Sequence, residues 1–335
     1  MPRVKVLRLF MLLLILLLFF FVVRYVFKKG ESKSSISKTD SIPDPYWKGP
    51  DTSQIPNTVE GGKIRFGRDL IARTSEYFGP GGRNPGGNGM NCQNCHLEAG
   101  TKPFGNNYGG VYSTYPKYRP RRGSIETISE RVNDCFLRSL NGSELDSNGL
   151  YMEAILTYIK WLGNGVQKGT KPPGSGIKMP KFLDRPADSA KGRKAYLDKC
   201  QKCHGKDGQG NFFPGTVAYQ YPPLWGLHSY NTAAGLYRLS SFAGYVKNNM
   251  PNGANYKSPQ ISDEEAWDIA AFVNSQPRSK KQFREDWPDI SKKPFDHPYG
   301  PYADSFSEQQ HKYGPFGPIE KARIEREKKI ALKSN

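Results

Sequence analysis

The chain is short of apolar side chains. Only 36% of its 335 residues are hydrophobic, while glycine and proline number 35 and 26. Acidic residues are also scarce against basic ones, and the formal net charge is +18. Such a surface favours acidic partners, membranes or anionic substrates. Nucleic acid is excluded as a partner class, because the lysines and arginines are dispersed and no nucleic-acid-binding motif is present. Long apolar runs are missing except at 9–23. Arg3, Lys5 and Arg8 precede that run and Arg24, Lys28 and Lys29 follow it. A helix over 9–27 would be about 28 Å long, near the thickness of a bilayer core. No Ala-x-Ala-like cleavage site follows. We therefore expect an N-terminal membrane anchor over 1–30 that stays in place, with a cleaved signal peptide and secretion as the alternative. Either way the remainder is exported.

Cysteine is equally sparse, at five residues. Four of them stand in two pentapeptides, Cys92-Gln93-Asn94-Cys95-His96 and Cys200-Gln201-Lys202-Cys203-His204. Cys-x-x-Cys-His is the attachment signature of c-type haem. The thiols form thioethers to the haem vinyl groups and the histidine is the first axial ligand of the iron. Two covalently bound haems c are expected, held by Cys92, Cys95, Cys200 and Cys203, with His96 and His204 on the irons. Two haems also explain the low apolar content, since each gives its domain a large surface to pack on.

The pattern around each motif repeats. A helix over 62–78, with Phe66, Leu70 and Ile71 at helical spacing, leads to the first motif. Thr127 and Glu130 form a capping-box pattern that opens a second helix, and Asn141-Gly142 ends it. A third helix over 151–162 closes the domain. After a Gly/Pro/Lys linker the order recurs: a helix from Gly192, the second motif, then a helix opened by the Ser262/Glu265 capping box. The expected fold is mainly α, two tandem class I-like cytochrome c domains with an N-terminal membrane helix and an irregular C-terminal extension. The boundaries read as anchor 1–30, tether 31–57, first domain 58–165, linker 166–188, second domain 189–277 and extension 278–335. The extension is expected to wrap the surface and end in a solvated charged helix.

The sixth ligands should follow each motif. For the second haem Met250, before Pro251, has the position and softness of a thioether ligand. Lys247 competes with it, and Asn249 suits neither role. In the first domain no Met-Pro occupies that window. Cys135, the odd cysteine, does, on the apolar stripe of the second helix with Ile128, Val132, Phe136 and Leu140. Met152 and Met179 are its rivals, and a small buried hydrophobe is the plainer reading of a lone cysteine. Arg131 and Ser139 lie one turn before and one turn after Cys135, on the same side.

These residues carry a resemblance. The two haem motifs, Arg121, the run Arg131-Val132-Asn133-Asp134-Cys135, Arg138 to Gly142, and Asn248-Asn249-Met250-Pro251 resemble the thiosulfate dehydrogenase/tetrathionate reductase family of dihaem cytochromes c. The tail residues 298–304 and 310–316 are similar to it too. The resemblance implies that Cys135 is the ligand of the active-site haem and that Arg121, Arg131 and Ser139 surround it, with Arg122 the adjacent alternative to Arg121. Some members carry Lys where Asn249 stands. The implied reaction joins two thiosulfates into tetrathionate and releases two electrons. Cys135 would act as sulfur nucleophile through a transient Cys-S-sulfonate. A c-type cytochrome or a membrane quinol-linked protein would be the redox partner, in the periplasm at the inner membrane. The N-terminal run departs from soluble members. A non-enzymatic dihaem electron carrier and a dihaem peroxidase are the competing functions. The first would want methionine on both irons, and the second an open or displaceable site with a catalytic acid.

Overall fold

A computed structural model describes residues 17–21, 24, 45–216 and 218–333. The chain divides into two units, 1–45 and 46–335. In the first, Leu17 to Phe21 and Arg24 are helical with exposed side chains. The expected membrane helix otherwise lies outside the described residues, as does 31–44 of the tether. Among the described residues no helix is long and apolar enough to cross a membrane.

The second unit is mainly helical and uses one plan twice. Helix α1 (Val59–Ala72) begins at Thr58, whose hydroxyl accepts from Gly61 N, and buries Ile64, Leu70 and Ile71. The helix expected over 62–78 is in fact two, because the backbone breaks at Arg73 before α2 (Thr74–Phe78). Next come a short hairpin of β1 (Lys117–Arg119) and β2 (Ser124–Glu126), then α3 (Ile128–Arg138) and α4 (Leu150–Leu162). The capping box of α3 forms as expected, with Thr127 N donating to Glu130 Oε2 at 2.8 Å and Glu130 N to Thr127 Oγ1 at 3.3 Å. In the second half, α5 (Ser189–Lys199) precedes the second motif. It is followed by the β3 (Asn211–Phe212) and β4 (Tyr219–Tyr221) pair, α6 (Leu239–Asn249) and α7 (Asp263–Ser275). Ser262 and Glu265 cap α7 in the same reciprocal way.

The crossings show why glycine is fixed at two places. Helix α1 packs on α4, and a Cβ on Gly67 would run into the Ala154 carbonyl. Helix α5 packs on α7, and a Cβ on Gly192 would run into the Asp268 carbonyl. Each pair of helices backs one haem motif and one apolar core.

Two segments pack more than their composition suggests. Trp47 donates its N–H to Pro173 O, Tyr46 stacks edge-on against Phe104 and Tyr256, and Ile55 is buried in the first core. Part of the stretch read as tether is therefore built into the body. The C-terminal extension does not merely wrap the surface. Phe295, Phe316 and Ile319 are buried in the second core, and His311 on α8 (Glu308–Tyr313) is buried too. His311 bonds Phe295 O and Asp304, and stacks on Tyr302 with ring centroids 3.7 Å apart. The extension ends in α9 (Gly317–Lys333).

Candidate active site

The first motif is held from behind. Cys92 N donates to Thr74 Oγ1 at 2.9 Å, at the start of α2. Past His96 the chain doubles back through Glu98, Ala99, Phe104 and Asn106, all with φ between 53° and 56°. This brings the Asn106 carbonyl 2.6 Å from His96 Nδ1. A carbonyl only accepts, so Nδ1 carries the proton and Nε2 keeps its lone pair for a metal. Burial pulls His96 down to about 4, against the Asn106 hydrogen bond, so the ring is neutral at physiological pH. Tyr108 stacks on it at 4.5 Å.

Helix α3 borders the same space as this histidine. Cys135, Arg131 and Ser139 line the same cavity as Cys92, Cys95 and His96, with a volume of about 250 Å³. Three residues paired only by helical spacing in the sequence thus meet the haem motif in space. The rival ligands do not line this cavity: Met152 is fully buried within α4, and Met179 is exposed. Met90, just ahead of the motif and not weighed from sequence, does line it.

The cavity is positive. Lys117, Arg131 and Lys171 line it, and among the described residues no aspartate or glutamate does. The Cys135 charge raises the Arg131 guanidinium above its usual range, and Asp134 lies 3.6 Å from it. Burial, helped by Arg119, Lys171 and Arg131, lowers Lys117 to about 8. Its ammonium donates to Thr114 Oγ1 at 3.3 Å and lies over the Tyr115 ring. Sequence reasoning missed Lys117 and Lys171, which come from a hairpin and from the linker. Arg121 does not line this cavity, although the Arg131 charge reaches it and helps burial to lower it to about 10. It lies in the turn between β1 and β2, lines a neighbouring cavity and faces the Trp287 ring at 5.6 Å.

At the second motif, His204 Nδ1 lies 2.9 Å from Pro222 O, which again frees Nε2. Cys200 and Met250 pack against the second core. Met250 follows the last turn of α6, while Lys247 Nζ is paired with Asp263 at 3.0 Å. Asn249 faces the first domain, its Nδ2 donating to Phe104 O at 3.1 Å.

Both motifs suit haem. Each has two thiols beside an imidazole whose Nδ1 is tied to a carbonyl, and the first adjoins a cavity with an apolar wall of Ile71, Ile128 and Ile155. Fold and motifs together define a c-type cytochrome with two covalent haems c. The cytochrome c family model matches residues 189–277, and the SoxA/TsdA cytochrome c domain matches 82–167. A thiosulfate dehydrogenase of Psychrobacter arcticus is 38% identical, over 73% of this chain and 72% of that protein. Another from Allochromatium vinosum is 40% identical, over 68% of this chain and 83% of that one. The solved thiosulfate dehydrogenase TsdBA from Marichromatium purpuratum, in its as-isolated form, aligns with a TM-score of 0.63 at 30% identity. The alignment covers 69% of this chain and 49% of that one, so this chain spans about half of it. The chain belongs to the thiosulfate dehydrogenase family.

Proposed function

We propose that this protein interconverts thiosulfate and tetrathionate at Cys135. The observation that carries this reading is the shared cavity: a lone cysteine beside a haem motif, lined with Lys117, Arg131 and Lys171 and, among the described residues, with no carboxylate. Both substrates are dianions, and a guanidinium recognises a sulfonate through charge-assisted hydrogen bonds. Arg131 holds the sulfonate end and Ser139 orients one of its oxygens.

In this reading His96 Nε2 and Cys135 Sγ would hold the haem iron in the first domain, and His204 and Met250 that in the second. The ion pair of Lys247 with Asp263 supports Met250 over the lysine. Bound haem takes one electron at a time, so two of them hold the pair released when one S–S bond forms.

In this reading Cys135 is also the sulfur nucleophile. Its thiolate bonds the outer sulfur of a first thiosulfate, giving Cys135-S–S–SO₃⁻ and two electrons. Atom balance makes this adduct one sulfur longer than a Cys-S-sulfonate. The outer sulfur of a second thiosulfate attacks the sulfur bonded to Cys135, forms the central bond of tetrathionate and displaces the cysteine as thiolate. No proton is needed, and Arg131 stabilises the returning negative charge.

The N-terminal apolar run and the covalent haems favour a periplasmic enzyme attached to the inner membrane. Its electrons would pass to a c-type cytochrome or a quinol-linked partner. The test is thiosulfate-driven reduction of both haems in the purified protein, with tetrathionate as product. Haems that stay oxidised with thiosulfate, and are not reoxidised by tetrathionate after chemical reduction, would refute the reading.

A further inference from the structure

Four side chains of alternating charge run from the Cys135 cavity to the C-terminal extension. Arg131, Asp134 and Arg138 stand on α3 at i, i+3 and i+7, so they share one side of it. Asp286 of the extension meets the last of them. Its two carboxylate oxygens accept from Arg138 Nη1 and Nη2, at 2.6 and 2.8 Å. The Phe283 ring centre lies 3.9 Å from the same guanidinium carbon. Asp134 receives Arg138 Nε alone, at a long 3.4 Å.

Asp134 therefore stands between two cations. It is buried, and a buried carboxylate needs a charge beside it. Its Oδ1 takes Arg138 Nε. Its Oδ2 accepts no hydrogen bond among the described residues and has Arg131 Nη1 at 3.6 Å. A guanidinium binds a carboxylate most strongly with its fork. If the fork of Arg138 were free, it would take both oxygens of Asp134 from one turn away, and Arg131 would lose the anion that fixes its direction. Asp286 prevents this by occupying the fork.

The end of α3 is also fastened without this ion pair. Asn231, fully buried in the second half, donates its backbone N–H to Arg138 O at 3.1 Å and its Nδ2 to Leu137 O at 2.9 Å. Replacing Asp286 thus disturbs the side chains of α3 more than the course of its backbone. We infer that Asp286 is a positioning residue for the Cys135 cavity: through Arg138 and Asp134 it sets the direction of the Arg131 guanidinium. This rests on the thiosulfate reading above. It places a requirement of the first haem domain in the C-terminal extension, on a residue that does not line the cavity.

The test is a double-mutant cycle on kcat/KM for thiosulfate in the holoprotein. Asp286→Asn keeps the size of the side chain and should lower kcat/KM about tenfold where Arg131 is present. In the Arg131→Gln background it should cause no further loss, because two residues that act through one contact do not add. Asp286→Glu restores the charge and should recover most of the activity. The thiolate features of the spin-resonance spectrum should be the same throughout, since Cys135 is untouched. If Asp286→Asn does not fold, Asp134→Asn cuts the same link, and the same cycle with Arg131→Gln should give the same pattern. Equal losses with and without Arg131, or no loss at all, would overturn the inference and leave the thiosulfate reading standing. A parent protein whose haems thiosulfate does not reduce would overturn both.

Discussion

Tyr245 donates its hydroxyl hydrogen to the backbone oxygen of Asn94 at 2.6 Å. The donor lies on α6 in the second haem domain, and the acceptor lies inside the first Cys-x-x-Cys-His motif. The same helix ends at Met250, and its Asn249 bonds Phe104 O, in the loop that follows His96. One helix thus touches the attachment loop of one haem and presents the proposed ligand of the other.

Tyr245→Phe should therefore loosen the joint between the haem domains. It leaves the Asn94 carbonyl unpaired and should cost about 0.5–1.5 kcal/mol in denaturant unfolding. In stopped-flow spectra, reduction of the second haem after thiosulfate mixing should lag behind that of the first more than in the parent protein. KM for thiosulfate should not move.

Gly67 and Gly192 sit where two helices cross, each against a carbonyl. Alanine at either position should force the helices apart and destabilise by about 1–3 kcal/mol. Thermal melting of the two single variants, with haem content measured alongside, checks this. Equal stability to the parent would mean that the crossings are looser than they stand.

The local signals in the sequence hold up well. Both capping boxes form between residues three apart, and the stripe carrying Cys135 faces the cavity, because i, i+4 geometry needs no knowledge of the rest of the chain. Contacts between distant residues were not legible. The carbonyls of Asn106 and Pro222 that orient the histidines are backbone atoms with no sequence signature. Lys117 and Lys171 reach the cavity from a two-stranded hairpin and from a segment that composition alone marks as linker. The extension hides Phe295, Phe316 and Ile319 at irregular spacing, so no periodicity announced that they enter a core. The resemblance groups Arg121 with Arg131; the hairpin turn puts it on the lining of another cavity, still within reach of the Arg131 charge.

Lys117 gives the site a pH dependence. Its pKa is lowered to about 8, chiefly by burial, so the ammonium is complete below that value and is lost as pH rises through it. If it helps to hold the dianion, KM for thiosulfate should rise above pH about 8. Lys117→Met should raise KM at low pH and flatten the profile. A profile unchanged by the substitution would remove Lys117 from the binding site.

Arg131→Gln keeps a hydrogen-bonding amide but loses the charge. A hydrogen bond to a charged group is worth about 1.5–3 kcal/mol, so kcat/KM should fall about 10- to 100-fold. Haem content and the spectrum of the second haem should be unaffected, which separates a lost substrate contact from a folding defect.

Cys135 decides the reading most directly. Cys135→Ala should retain both covalent haems, since Cys92, Cys95, Cys200 and Cys203 are untouched, and should lose the thiolate features from the absorption and spin-resonance spectra. Thiosulfate-driven haem reduction should fall at least about 10³-fold. A variant that carries both haems and still reduces them with thiosulfate at the parent rate would contradict the assignment of Cys135 as the reacting sulfur.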